Sequence, residues 1–281
     1  MKQKFSKEIH EKFKKYFDIK ENQSDIEKDF FKKTYKYVNY IKWIPWLKMI
    51  SIWNSLAMNN ANSESDIDLY IVTTRNSMWL NRIIITFLFQ IMWVRKNDKN
   101  HAGRFCLSFF STLDWMSFKN WKIENDIYLY FWIIYMKPIL DYDSTYKNFI
   151  NLNKEWLEID EYKDIIYNNK KFIQYKKNTK NWLILDKIIT ILDKIVKKLL
   201  LPKTLSHFEK IWKPYWVIIN DDLLKFHNND IRKEIKKEIK ILKRQICNWD
   251  QFLKNQIWMM NWIGMKFSKK KKKKKKKTKI L

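Results

Sequence analysis

Residues 65–73, SDIDLYIVT, set two carboxylates two positions apart at the head of an otherwise apolar run. Side chains alternate along an extended strand, so Asp66 and Asp68 share one face while Ile67, Leu69 and Ile71 share the other. The segment predicts a strand over 66–73 with its odd face buried, and hence a chain built around a sheet. The placement is costly, because like charges drawn partly out of water destabilise a fold unless something offsets them. A divalent cation removes the repulsion, and Mg2+ prefers carboxylate, water and phosphate oxygens. Asp66 and Asp68 are therefore predicted metal ligands.

The flanking residues fit a phosphate-handling site. Lys48 to Trp53 reads as a short strand, and Asn54-Ser55 as a turn into the helix-compatible Leu56-Ala57-Met58. Such a turn presents backbone N–H groups and a hydroxyl to a triphosphate. Ser65 stands directly before Asp66, placed to cap the turn or orient the carboxylate. Carboxylate-held Mg2+ beside a phosphate turn suits in-line phosphoryl or nucleotidyl transfer.

Elsewhere the pattern alternates helix and strand. Phe5, Ile9, Phe13 and Phe17 recur every four residues, a first amphipathic helix, and a second follows over 24–40 with Ser24 as its cap. Residues 79–94 read as a helix, 96–101 as a charged loop, RFCLSFFS (104–111) as a strand, and 126–136 as a helix closed by Pro138. Beyond 146 the spacing is mostly helical. Leu185, Ile188, Leu192, Ile195 and Leu199 form one stripe ended by Pro202, and Ile231, Ile235, Ile239, Leu242 and Ile246 form another, with a short strand at 216–219 between them. The expected architecture is α+β: N-terminal helices (1–40), a small mixed sheet flanked by helices (41–145), a mainly helical C-terminal region (146–267), and a disordered lysine-rich tail (268–281).

Charge narrows the partners. The chain has 57 Lys+Arg against 30 Asp+Glu, a net +27, and ten of the lysines lie in the last thirteen residues. Removing those ten from +27 still leaves +17 on the body. A basic body favours polyanions such as nucleotides, nucleic acid or an anionic membrane surface, although an A/T-rich coding sequence enriches lysine as well. The basic tail is expected to add salt-sensitive affinity for RNA or DNA, with a repetitive tract of no role as the alternative. Cys106 and Cys247 form no CxxC pair, and the N-terminus has no apolar signal-peptide run, so a reducing, cytoplasmic setting is expected. The apolar stretch 83–94 is too short for a transmembrane segment. His10, His101 and His207 have no zinc spacing. His227, Lys225, Arg232 and Arg82 are candidate phosphate or acceptor contacts, with structural roles as the alternative.

The order of strand, serine turn, short helix and acidic strand resembles the polymerase-β-type nucleotidyltransferase superfamily. It stands here as Asn54-Ser55-Leu56-Ala57 and Ser65-Asp66-Ile67-Asp68-Leu69. Likeness to a bacterial subgroup continues through NSMWLNR (76–82), GRFCLSFF (103–110), MKPIL (136–140) and LLKFHNNDIRKE (223–234), covering most of residues 40–235. The resemblance implies transfer of a nucleoside monophosphate from an NTP to an acceptor hydroxyl of a nucleic acid, protein or small molecule, with one or two Mg2+ ions. It puts the metal on Asp66 and Asp68 and the β/γ-phosphates on Asn54 and Ser55. It also implies a third carboxylate on a neighbouring strand. RFCLSFFS offers only Ser108 and Ser111, so Asp114 just beyond it is the nearest acid, ahead of Glu124, Asp126 and Asp141. Asn54 departs from the glycine usual at the turn. The alternative is a catalytically inactive nucleotide- or RNA-binding protein of the same fold. A further alternative is a membrane-peripheral protein using aromatic helices and the tail.

Two glycines against 15 tryptophans is an inverted ratio for a folded chain. Trp46 after a proline, Trp53 before the turn, Trp93 at a helix end and Trp216 stand where glycine is physically favoured. The composition predicts that some of these codons are UGA, read as glycine, with a Trp-rich core as the competing reading.

Overall fold

The structure is a computed structural model and describes residues 7–124, 126–155, 157, 162–177, 183–210, 217–226, 232–241 and 244. The fold is α+β. Its elements run α1 (Lys7–Tyr16), α2 (Asp25–Ile41), β1 (Leu47–Ile52), α3 (Asn54–Ala57), β2 (Ile67–Thr73), α4 (Met78–Ile91) and β3 (Phe105–Thr112). There follow α5 (Ile127–Tyr135), β4 (Lys137–Tyr142), α6 (Thr145–Asn153), α7 (Lys163–Asn169), β5 (Tyr175–Lys177), α8 (Leu183–Lys210), β6 (Ile218–Ile219) and β7 (Leu223–Lys225). The strands form one mixed seven-stranded sheet in the order β5-β4-β1-β2-β3-β7-β6.

Alternation along β2 divides the core into two layers. Ile67, Leu69 and Ile71 pack with Phe31 and Val38 of α2 and Ile85 and Phe89 of α4, with Val196 and Leu200 of α8 at the margin. On the opposite face Tyr70 meets Phe109, Phe118 and Phe149, while Trp53 packs at a tilt on Phe109 and edge-on to Trp132. α1 docks outside this aromatic layer through His10, stacked on Phe131 of α5, and Phe17 just after it meets Tyr128 and Phe131.

The start of α2 follows its local sequence. Ser24 and Glu27 form a reciprocal capping box, satisfying two N–H groups that a helix start leaves free. The other oxygen of Glu27 accepts from Ala61 N–H at 2.9 Å, which ties α2 to the loop entering β2.

α5 ends before Pro138, as expected, and residues 137–142 after it form β4 between β5 and β1. Pro138 sits where the β1–β4 register shifts, an irregularity that spares a ladder hydrogen bond. Two expectations change. Pro202 does not end α8, which runs on to Lys210. Pro202 is exposed, and Leu200 and Leu201 just before it pack on the core, so burial there outweighs the lost backbone bond. The region after residue 146 also supplies strands β5 and β7, while β6 falls within the short strand expected at 216–219.

The chain divides into two compact units, Met1–Arg232 and Lys233–Leu281, and the sheet lies in the first. Residues 233–241 of the second are helical. The lysine tail, His227, Cys247 and Trp216 lie outside the described residues. No helix among the described residues is long and apolar enough to cross a membrane.

Several backbone positions occupy the left-handed region. Asp18, Asn54, Asn59, Asn76 and Asp143 are of residue types that tolerate it. Trp46 (φ 64°) and Trp93 (φ 57°) are not. Trp53 is extended at φ −136° and fully buried, so its backbone makes no demand for glycine.

Candidate functional site

Strand pairing brings the predicted turn and carboxylates together. β1 and β2 are antiparallel, with Ile52 opposite Leu69, so the end of β1 meets the start of β2. A 3.2 Å bond from Trp53 N–H to the Asp68 carbonyl pins α3 to that point. The Asn54 amide donates to Asp68 Oδ2 at 2.9 Å, and Tyr128 OH from α5 donates to Asn54 Oδ1 at 3.1 Å. Asn54 therefore acts as a brace: its left-handed backbone (φ 62°) turns the amide onto the carboxylate.

Asp68 is 3% exposed, and its Oδ1 is buried and accepts no hydrogen bond of ordinary geometry among the described residues. Burial, then the neighbouring Asp66 charge, push its carboxyl well above the usual carboxylate range. The Asn54 amide, the Cys106 thiol and Lys96 pull the other way without cancelling that rise. Asp66 lies nearer the surface and takes the Lys96 ammonium at 2.6 Å on Oδ2. Lys96 follows α4, where its N–H donates to the Phe105 carbonyl at 2.9 Å, fixing it beside the start of β3.

Ser65 shapes the approach rather than touching either carboxylate. Its hydroxyl accepts from Asn62 N–H at 3.0 Å, and its carbonyl accepts from Gly103 N–H at 2.7 Å. Gly103 sits at φ 59°, and a Cβ there would lie 3.0 Å from the Phe30 ring, so glycine suits this close approach. Ser55 is half-buried, and its hydroxyl bonds to no described residue.

Asp114 is not brought to the pair. It lies in the short 3-10 turn past the far end of β3 and faces Arg75 at 3.6 Å. At about 3.3 Å per residue, the eight residues from Cys106 to Asp114 correspond to roughly 20 Å or more along the sheet. Asp126 caps α5 and pairs with Arg232 at 3.3 Å, and Asp141 Oδ1 accepts from Tyr146 N–H at 3.0 Å. Lys225 is buried beneath Trp121 and Trp132, and Arg82 is stacked on Phe226.

The residue across from Asp68 is Cys106. β2 and β3 are parallel with Asp68 opposite Cys106, and a register shift follows before Tyr70 meets Phe109. Ligand atoms of Asp66, Asp68 and Cys106 all lie within 4.8 Å of one another. Burial, then the Asp68 charge, push the Cys106 thiol up. Three groups able to carry negative charge thus converge on one point, with Lys96 beside them. Cys106, Lys96 and Tyr128 carry no motif; only the register of β3 and the end of α4 could have indicated them.

A cavity of about 780 Å³, lined by Trp43, Trp46, Arg75, Lys177 and Asp186, lies at the other end of β2. We locate the site at the carboxylates because the unsatisfied buried charge is there. No family model, curated protein or solved structure matches the chain.

Proposed function

We propose that this chain is a metal-dependent nucleotidyltransferase of the polymerase-β-type fold, moving a nucleoside monophosphate from an NTP to an acceptor hydroxyl with release of pyrophosphate. The observation that carries the reading is Asp68, a buried carboxylate braced by Asn54 with one oxygen unsatisfied, on the same strand face as Asp66. A bound divalent ion would neutralise charge on the α-phosphate and acceptor oxygen during in-line displacement. The chain's own residues do the positioning. Tyr128 and Asn54 hold Asp68, Lys96 sets Asp66 and adds positive charge beside it, and the free Ser55 hydroxyl stands in the adjoining turn. The basic body, +17 without the tail lysines, favours a polyanionic acceptor such as nucleic acid, with a protein hydroxyl as the other class.

A second reading, a catalytically inactive binder of nucleotide or RNA, is favoured by two observations. Lys96 already balances Asp66, and a cysteine rather than an acid faces Asp68. One experiment separates them: transfer from each α-phosphate-labelled NTP, with cell extract and in parallel with Mg2+, Zn2+ or Co2+, by the wild type and by Asp66→Asn/Asp68→Asn. The expected result is transfer that falls by more than about 100-fold in the double variant, beyond the loss from removing an outer-sphere partner of a metal. Retained NTP binding without transfer would favour the inactive binder, and neither binding nor transfer would refute both.

A further inference from the structure

Resting on the reading of Asp66 and Asp68 as metal ligands, we propose that Cys106 is the third ligand of this centre and that the site selects a thiophilic divalent cation, Zn2+ or Co2+, ahead of Mg2+. Three elements converge independently of any motif. The parallel register sets Cys106 directly opposite Asp68, and the shift that follows turns Phe109 rather than Ser108 into line with Tyr70. The Cys106 thiol also donates to Ser108 Oγ at 3.2 Å, a second contact that orients the sulfur. Oδ1 of Asp68, on a residue 3% exposed, accepts from no described donor, which leaves its lone pairs open to a cation.

The dimensions suit a single ion. Oxygen and sulfur bound to one tetrahedral Zn2+ at about 2.0–2.3 Å stand about 3.3–3.8 Å apart. The trio, all within 4.8 Å, closes on one ion by side-chain movements of roughly 1 Å. Two carboxylates and a thiolate leave a fourth position for water or a phosphate oxygen, as in catalytic zinc sites. Mg2+ disfavours sulfur and keeps an oxygen shell, whereas thiolate ligands select softer metals. Lys96, 42% exposed on a flexible stem, holds Asp66 Oδ2 until a cation takes over the charge.

The test uses the full chain carrying Cys247→Ser, so that Cys106 is the only thiol. Titration with Co2+ is expected to give an intense near-ultraviolet sulfur-to-metal charge-transfer band that saturates with one ion. Cys106→Ser should abolish that band and weaken Zn2+ binding by more than about 100-fold, with the circular dichroism unchanged. Cys106→Asp should reverse the order of preference and tighten Mg2+ relative to Zn2+. Co2+ bound without the band, or Zn2+ binding unchanged in Cys106→Ser, would overturn thiolate ligation while leaving the carboxylate site standing. No divalent cation bound by the Cys247→Ser chain would overturn both.

Discussion

Trp93 occupies the residue after the cap of α4 with φ 57°. Its N–H donates to the Gln90 carbonyl at 3.1 Å and that of Val94 to Phe89 at 3.1 Å, the paired bonds of a Schellman helix end. Glycine is favoured there because a Cβ in the left-handed region crowds the following carbonyl, at roughly 1–2 kcal/mol per residue. Trp93 is 77% exposed, so little packing offsets that cost. Trp93→Gly is expected to raise stability by about 1 kcal/mol in chemical denaturation, and Trp93→Ala, which keeps the Cβ, to gain much less. Trp46 follows Pro45 at φ 64°, the turn position where glycine commonly follows proline, although its indole also bonds Asp186. Glycine at 46 and 93 requires UGA codons there in the coding DNA; UGG would establish tryptophan.

Individual elements carry their own sensitivities. α1 docks through His10, 3% exposed and stacked on Phe131 and Tyr162 with centroids at 4.7 and 4.2 Å. Burial, with Lys14 assisting and Glu11 opposing, lowers its pKa from 6.5 to about 4. A base with a depressed folded pKa is held neutral, so the unfolded chain binds the extra proton between those values. The docking of α1 is therefore intact above the unfolded value near 6.5 and weakens progressively as pH falls towards about 4. His10→Phe, which keeps the stacking, is expected to lose less thermal stability than the wild type between about pH 7 and pH 4. Parallel pH-dependent melts of the two proteins, with equal slopes as the contrary result, check this.

At the scale of the whole molecule, residues far apart in the chain are held by groups that water cannot reach. Arg232 and Asp126 are 106 positions apart, yet their side chains are 2% and 0% exposed and meet at 3.3 Å, with the guanidinium over Trp121. Removing one member of a buried pair leaves the other charge uncompensated, which costs about 3–5 kcal/mol. Asp126→Ala also removes the α5 cap that accepts from Leu129 N–H. It is expected to lower the unfolding free energy read from urea denaturation by an amount near the top of that range, whereas a loss under about 1 kcal/mol would show the pair to be solvated.

Local chemistry was enough for part of this protein. The capped α2, the apolar α4 and the acidic strand β2 were legible because caps, helical spacing and alternation act over neighbouring residues. The adjacency of Asp66 and Asp68 was legible for the same reason. β4 was not, because Pro138 reads as a helix stop and argues against an interior strand. The third member of the site was not legible either. Asp114 was the nearest acid in the chain, but closeness in sequence along an extended strand becomes distance in space. Cys106 reached Asp68 only through the parallel pairing of β2 with β3 and the register shift beyond it. Sequence alone determined that Asp66 and Asp68 stand together at the head of β2; tertiary structure decided which side chain of the neighbouring strand lies beside them, because strand register is set by the packing of the whole sheet.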